Sequence, residues 1–438
     1  MNGIYLTDNV LYYPNLLLLA VVNEEKYIDD LKESINKNIQ LKKTELNGKD
    51  RFINYTVEVD KIYPTNGGIS LTDFCQLRCN YCSFSSSNLK NKLCEEDIRS
   101  FIDYLIKNAL LRRMLFPNEQ TVRIVITGGG EPTSAWSEFV GTLEYIKEKC
   151  SQKNIQCQIS ATTNGILNQM QRDFLLQNLD SILVSYDGLP RIHNKNRKNS
   201  NNTGSASIVE ETLSYFDNKK ANYSIRTTIW PEDYCLMAEM ADYIYTKYSH
   251  MKDWDVEPII PRGRAIENVQ NEFANAEFTR FYISTKKYIS NRGYVDTLSC
   301  SKFNSYTCGT IYGFHPWLVP NGDVVTCQDA KEQAVIIGHI DQGIMRLNNF
   351  HDEYAELHDI NLLNCYECFA YGFCLGGCPL KKINTESEKQ IANECSIISE
   401  YWRIVLLELI DKDSYWGWKK VKVENSEGKF TIYKLERM

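Results

Sequence analysis

Cys75, Cys79 and Cys82 stand with three residues and then two between them in the stretch LTDFCQLRCNYCSF, residues 71 to 84. Three thiolates in so short a loop can each take one iron of a cubane 4Fe-4S cluster, and they leave the fourth iron without a protein ligand. That open iron is where a small molecule would bind and chemistry would begin. Zinc is the alternative for such thiols. Zinc loops come as two paired ligand sets that close a tetrahedron, however, and no His or fourth Cys completes one nearby.

Further along, three polar turns follow predicted strands. Gly128, Gly129, Gly130, Glu131, Pro132 and Thr133 follow the apolar stretch Val122 to Thr127, and glycines there let the backbone approach a ligand closely. Thr163, Asn164 and Gly165 follow Gln156 to Thr162, and Ser185 opens SYDGLPRIHNKNR, with Asp187, His193 and Arg197. In parallel α/β folds, function collects at the C-terminal strand ends, which is where these turns fall.

Together with the cysteine spacing, these segments resemble the radical SAM superfamily. The resemblance implies that the amine and carboxylate of S-adenosylmethionine (SAM) occupy the open iron. An electron from the cluster then breaks a C–S bond of the sulfonium and yields a 5'-deoxyadenosyl radical. GGGEP is similar to the family's GGEP motif, which implies contacts from Gly128, Gly129, Gly130 and Glu131 to the amino group of SAM. Asn164 stands in the family's TNG turn. Ser185 to Arg197 resembles the SxDGxxxxHxxxR stretch of SPASM-type enzymes, above all anaerobic sulfatase maturases and peptide maturases. That match implies that Ser185 and Arg197 are SAM contacts, with the guanidinium on the carboxylate. His193 is read as fixing its loop by a hydrogen bond and Asp187 as stabilising the turn. Val256 to Ala265, VEPIIPRGRA, resembles the last barrel strand and the loop that meets adenine.

A second set of cysteines lies in the C-terminal half: Cys300, Cys308, Cys327, Cys365, Cys368, Cys374, Cys378 and Cys395. From Cys308 onward the spacing, including Gly322, matches the seven-cysteine SPASM signature. Eight thiolates suffice for two further 4Fe-4S clusters; a pair of zinc ribbons is the alternative. The resemblance assigns Cys308, Cys327 and Cys378, with Cys300 as fourth ligand, to the auxiliary cluster nearer the substrate. Cys365, Cys368, Cys374 and Cys395 fall to the outer one. Cys94, Cys150, Cys157 and Cys235 belong to no pattern and read as buried apolar side chains.

The elements that must position these residues alternate regularly from residue 67. Predicted strands at 68–72, 122–127, 156–162, 181–185, 223–229 and 255–260 alternate with amphipathic helices, which predicts a parallel sheet with right-handed crossovers. The fold class expected is α/β, a partial (β/α)6 TIM-type barrel over 67–265, with a small α+β N-terminal element over 1–66. A linker helix over 266–299, a cysteine-rich SPASM domain over 300–400 and a C-terminal helix and strand over 401–438 complete the chain. The N-terminal element reads as strands at 3–13, 16–22 and 51–62 with a helix at 24–39 between them. It serves either to bind a leader peptide or as a structural cover for the barrel.

Composition excludes other classes. The 438 residues are 43% hydrophobic and 24% charged with a net charge of -7, values of an ordinary globular protein with no basic surface for a nucleic-acid backbone. The apolar run Leu16 to Val22 is too short to span a bilayer and lacks a signal-peptide pattern, so a cytoplasmic protein with no membrane partner is expected. There thiols stay reduced, and metal explains 15 cysteines better than disulfides do.

The function expected is maturation of a ribosomally made precursor peptide, by hydrogen abstraction and a thioether or carbon–carbon cross-link. Three 4Fe-4S clusters, SAM and an electron donor such as flavodoxin or ferredoxin are the implied partners. Oxidation of Ser or Cys to formylglycine in a sulfatase is the alternative, although sulfatase maturases usually begin near the cluster motif. A non-catalytic iron–sulfur or zinc scaffold is a third reading, which the SAM-type motifs oppose.

Overall fold

The computed structural model describes residues 4–45, 63–84, 91–115, 121–259, 263–268, 275–303, 315–328, 336–347, 365, 368–374, 376–377, 388–426 and 428–438. The strand expected at 51–62, together with Cys308 and Cys378, lies outside these residues.

The chain opens with β1 (Ile4–Thr7), β2 (Val10–Tyr13) and β3 (Leu18–Val22), then a helix at Ile28–Glu45. The barrel follows as β4 (Asn66–Ile69), β5 (Thr121–Ile126), β6 (Gln156–Thr163), β7 (Ser181–Ser185), β8 (Tyr223–Ile229) and β9 (Trp254–Pro258). Each of the six pairs in parallel with the next, in sequence order. A two-residue β10 (Leu298–Ser299) extends this sheet beside β9. At the other edge β11 (Trp317–Leu318) runs parallel to β4. It leads through antiparallel β12 (Asp323–Val325), β13 (Ile336–Asp341) and β14 (Ile344–Leu347), so the cysteine-bearing half continues the barrel's own sheet.

Alternation on the strands shows which face is which. On β8, Tyr223, Ile225, Thr227 and Ile229 are buried, while Ser224 and Arg226 between them are half-buried. A cavity of about 270 Å³ opens on that second face, lined among others by Ser160, Thr162, Leu183, Ser224, Arg226 and Asp255. A closed eight-stranded barrel fills its centre with layers of side chains. Here six strands leave a polar lumen. Gly68 shows how closely β11 approaches, since a Cβ there would lie 1.9 Å from the Trp317 ring.

The helix Glu95–Leu115 buries Ile98, Phe101, Ile102, Leu105 and Ala109, the stripe its sequence predicts. By contrast β4 ends earlier than the expected strand at 68–72. Beyond Ile69 the backbone leaves β5 for other partners, Ser70 N donating to Leu318 O at 2.8 Å and Thr72 bridging to Lys92. Side chains add to this: Ser70 Oγ donates to Thr127 O at 3.1 Å and Thr72 Oγ1 to Asn91 O at 2.7 Å. The chain thereby turns out of the sheet into the cysteine loop.

The helix Ala276–Asn291 packs on the long helix Glu388–Asp411 through Thr279 Oγ1, which donates to Ile397 O at 2.7 Å, and an Arg280–Glu400 ion pair at 2.9 Å. After it come β15 (Ser414–Tyr415), β16 (Trp418–Ser426) and β17 (Phe430–Arg437). The nine-residue β16 is not among the sequence expectations; its many Lys and Glu residues leave little apolar alternation. β17 pairs antiparallel with β3, so both ends of the chain share one six-stranded sheet. Trp402 Nε1 donates to Tyr12 Oη at 2.7 Å, and both residues are fully buried.

Candidate active site

The cysteine loop is held by the segments after five successive strands. After β5, Gly130 N donates to Thr72 O at 2.6 Å and Glu131 N to Phe74 O at 2.8 Å. Only glycine fits the first position, since a Cβ on Gly130 would lie 1.9 Å from Phe74 O. After β6, Asn164 Nδ2 reaches Cys75 Sγ at 3.7 Å. After β7, Asn196 O and Lys198 O accept from Asn80 N at 3.0 Å and Arg78 N at 2.7 Å. Trp230 Nε1, after β8, approaches Asn80 Oδ1 at 3.4 Å, and Arg264 N, after β9, donates to Cys82 O at 3.0 Å.

Glu131 is buried, and its carboxylate is engaged by the protein on both oxygens. Oε1 accepts from Thr133 Oγ1 at 2.7 Å and Thr163 Oγ1 at 2.8 Å, and Oε2 accepts from Asn164 N at 2.7 Å. Burial pushes the carboxyl above its ordinary value, while these donors oppose the shift. Glu131 thus joins the GGGEP turn to the TNG turn.

Asp187 forms a second junction. It is fully buried and accepts from Tyr81 Oη at 2.6 Å, Arg197 Nε at 3.0 Å, Asn196 Nδ2 at 3.3 Å and Thr228 N at 3.3 Å. The Arg197 guanidinium lies 5.2 Å from the Tyr81 ring centre, a cation–π distance. Beneath them His193 is also fully buried. Ser205 Oγ gives its proton to Arg197 O at 2.6 Å, so His193 Nε2, 2.9 Å away, must donate to Ser205. Nδ1 is then the acceptor for Asp187 N at 3.3 Å, and the neutral ring is fixed in one tautomer. Burial lowers the His193 pKa to about 4. The ring fixes its loop, the role read for it in the sequence. Ser185 ends β7 opposite Arg226, and its hydroxyl has no hydrogen bond among the described residues.

Cys75, Cys79 and Cys82 are each partly exposed on their loop. Burial raises the thiols of Cys75 to about 12 and Cys79 to about 11, with the Arg197 and Arg264 cations opposing it at Cys79. Ligation must therefore displace protons. The surroundings suit anionic sulfur: Leu77 N points at Cys75 Sγ at 3.4 Å, and Asn164 Nδ2 joins it. Among the described residues no three His, Cys, Asp or Glu groups converge on a single metal ion; a cubane instead spreads its thiolates over separate irons.

Of the second set, Cys300 is buried directly after β10, and Glu257 on β9 accepts from the neighbouring Ser301 N at 2.6 Å. Cys327 follows β12, and its neighbour Gln328 lies against the GGGEP turn, where a Cβ on Gly128 would meet Gln328 Oε1 at 2.6 Å. Cys365, Cys368 and Cys374 are half-buried around one turn and a short helix, with Cys368 N donating to Cys365 O at 3.0 Å. Cys395 is half-buried on the helix Glu388–Asp411. The expectation of four buried unpatterned thiols is corrected: Cys150 alone is buried, Cys157 is half-buried, and Cys94, directly before the helix Glu95–Leu115, and Cys235, in the 3-10 turn Pro231–Leu236, are exposed.

Sequence reasoning missed Asn80, Tyr81, Asn196, Trp230 and Arg264 as parts of this site. Asn80 and Tyr81 sit between two of the cysteines, a position that could have drawn notice. The other three become neighbours only through the barrel.

Residues 69–244 match the family model described as the radical SAM superfamily. These residues form a radical SAM domain, and the chain is an enzyme. The scaffold reading falls with that assignment, and the domain implies SAM and iron–sulfur cofactors. The chain is 24% identical over 336 residues to a cysteine-type anaerobic sulfatase-maturating enzyme of Clostridium novyi, covering 70% of this chain and 86% of that enzyme. To the enzyme so described from Clostridium perfringens, strain ATCC 13124, it is 24% identical over 361 residues, 77% and 95% of the two chains. Among solved structures, native anSMEcpe with bound AdoMet aligns with TM-score 0.61 at 20% identity, over 79% of this chain and 98% of that one. SuiB of Streptococcus suis, bound to the precursor peptide SuiA, aligns with TM-score 0.52 at 15% identity over 88% and 98%. Both likenesses establish the α/β partial barrel. Among the described residues no helix is long and apolar enough to cross a membrane.

Proposed function

We propose that this radical SAM enzyme matures a ribosomally made precursor peptide, removing hydrogen from a residue carbon and joining that carbon to sulfur or to another carbon. One observation carries the reading. Both ends of the barrel sheet bring cysteines of the second set to the barrel: Cys300 after β10, and Cys327 beside the residue that packs on Gly128. Forming a cross-link removes two hydrogens from the peptide, so an electron acceptor is needed beside the radical site.

In this reading Cys75, Cys79 and Cys82 hold the SAM-binding 4Fe-4S cluster. Cys300, Cys308, Cys327 and Cys378 hold the nearer auxiliary cluster, and Cys365, Cys368, Cys374 and Cys395 the outer one. SAM bound at the open iron supplies a 5'-deoxyadenosyl radical when reduced. The backbone of Gly128, Gly129, Gly130 and Glu131 receives the SAM amino group, and Asn164, Ser185 and Arg197 its carboxylate end. A flavodoxin or ferredoxin supplies the electron. The N-terminal strands and helix stand as the candidate leader-binding element, and SuiB with its precursor peptide supports a peptide as substrate.

Formylglycine formation is the second reading, favoured by the two clostridial relatives. Reaction of the reconstituted enzyme with candidate peptides separates the two. Cross-linking gives a product lighter by one hydrogen pair and inert to a hydrazide probe, whereas an aldehyde product captured by the probe establishes the second reading. Cys308→Ala or Cys327→Ala should spare SAM cleavage and block product. If such variants form product at the normal rate, the auxiliary cluster has no part in the oxidation.

A further inference from the structure

Asp187 does more than stabilise a turn. An ionised carboxylate offers about four acceptor sites, and Asp187 fills four, two on each oxygen. Tyr81 Oη and Asn196 Nδ2 share Oδ2, while Arg197 Nε and Thr228 N share Oδ1. With full burial and no acceptor site left, the group can neither take a substrate proton nor bind a metal. Whatever it contributes passes through its donors.

Two of those donors bear on the chemistry. Tyr81 lies between Cys79 and Cys82, and Arg197 stacks over its ring while keeping Nε on the carboxylate. Arg197 is also anchored along its backbone, its N–H to His193 O at 2.7 Å and its carbonyl to Ser205 Oγ. Among the described residues its two terminal nitrogens meet no acceptor. Nε is thus committed to Asp187, one guanidinium face is committed to Tyr81, and the paired terminal donors are left to a ligand.

We propose that Asp187 is the positioning residue that aims the terminal nitrogens of Arg197 at the SAM carboxylate and, through Tyr81, ties that anchor to the cysteine loop. The inference rests on the reading of Arg197 as the carboxylate contact. Without the Asp187 charge, Nε loses the acceptor that fixes the plane of the guanidinium, and only the Tyr81 ring still restrains it. The donors then no longer face the carboxylate.

The test compares SAM with decarboxylated SAM, which keeps the sulfonium, the adenosine and the amine. Binding to anaerobically reconstituted full-length enzyme is measured for wild type, Arg197→Ala and Asp187→Asn, with iron content measured alongside. Wild type should prefer SAM strongly. Arg197→Ala should lower SAM affinity ten- to a hundredfold and leave the decarboxylated compound nearly unaffected, so that the preference collapses. Asp187→Asn should collapse it similarly, by about tenfold, at unchanged iron content. If Arg197→Ala keeps the preference, the carboxylate reading of Arg197 fails. If Arg197→Ala loses it while Asp187→Asn weakens both compounds equally, or neither, Asp187 is not a positioning residue. Should Asp187→Asn fail to hold its clusters, Tyr81→Phe decides. It removes one donor from Asp187 and keeps the ring, so the preference should fall about threefold, and an unchanged preference overturns the proposal.

Discussion

Replacing His193 by Gln should remove a pH dependence of stability that the wild-type chain carries. The fold holds the imidazole neutral, with Nε2–H on Ser205 and Nδ1 accepting from Asp187 N. A proton on Nδ1 would face that N–H and lose the bond. The native pKa is about 4 against an ordinary 6.5, so the unfolded chain takes up the proton first as pH falls. The stability is therefore fully present above pH 6.5 and is lost as pH falls toward 4. Linkage between these values gives a loss of about 2 kcal/mol between pH 7.5 and 5, and about 3.4 kcal/mol below both. Urea unfolding of metal-free protein at the two pH values measures this. Carboxylates titrate as well, so the quantity that decides is the difference in slope between wild type and His193→Gln. Wild type should lose about 2 kcal/mol more than the variant. Equal losses would mean that His193 is protonated in the native state and that its tautomer is misassigned.

Three further outcomes follow from the packing and the donor sets. Cys75→Ala, Cys79→Ala and Cys82→Ala combined should remove the iron of one cluster and abolish 5'-deoxyadenosine formation, by iron analysis and chromatography; persistent formation would refute the central ligand assignment. Glu131→Gln turns one acceptor oxygen into a donor facing Thr133, Thr163 or Asn164, and should destabilise the fold by about 1–3 kcal/mol by denaturant unfolding. Gly68→Ala drives a methyl into the Trp317 ring and should cost about 1–3 kcal/mol, seen as a lower melting temperature.

The six barrel strands were legible in the sequence because each is a short apolar run followed by a helix of clear periodicity, as at Ser181–Ser185 and Tyr223–Ile229. The cysteine spacing and the polar turns after strands identified the family for the same reason: their residues are close in sequence. What stayed hidden depends on distance along the chain. Nothing near Asp187 announces that Tyr81, 106 residues earlier, will donate to it, or that Thr228 N will come from the next strand. The roles of Glu131 and Asn164 changed in a similar way. Read as ligand contacts, they also bond to each other, and only the parallel pairing of β5 with β6 makes that possible. β15 and β16 were missed because they are stabilised by partners, not by their own composition.

The pairing of β3 with β17 has a consequence for biosynthesis. The strands β2 and β3 leave the ribosome long before their partners exist; Tyr12 waits for Trp402, 390 residues later, and β3 for β17. The barrel strands pair with their neighbours in order and can assemble as they emerge. The sheet that joins β3 to β17 can close only once β17 has left the ribosome. Cutting the chain just before Phe430 should therefore expose the apolar faces of the distant β2 and β3, and a nascent chain stalled at that point would display a nearly complete barrel with β3 lacking its partner strand.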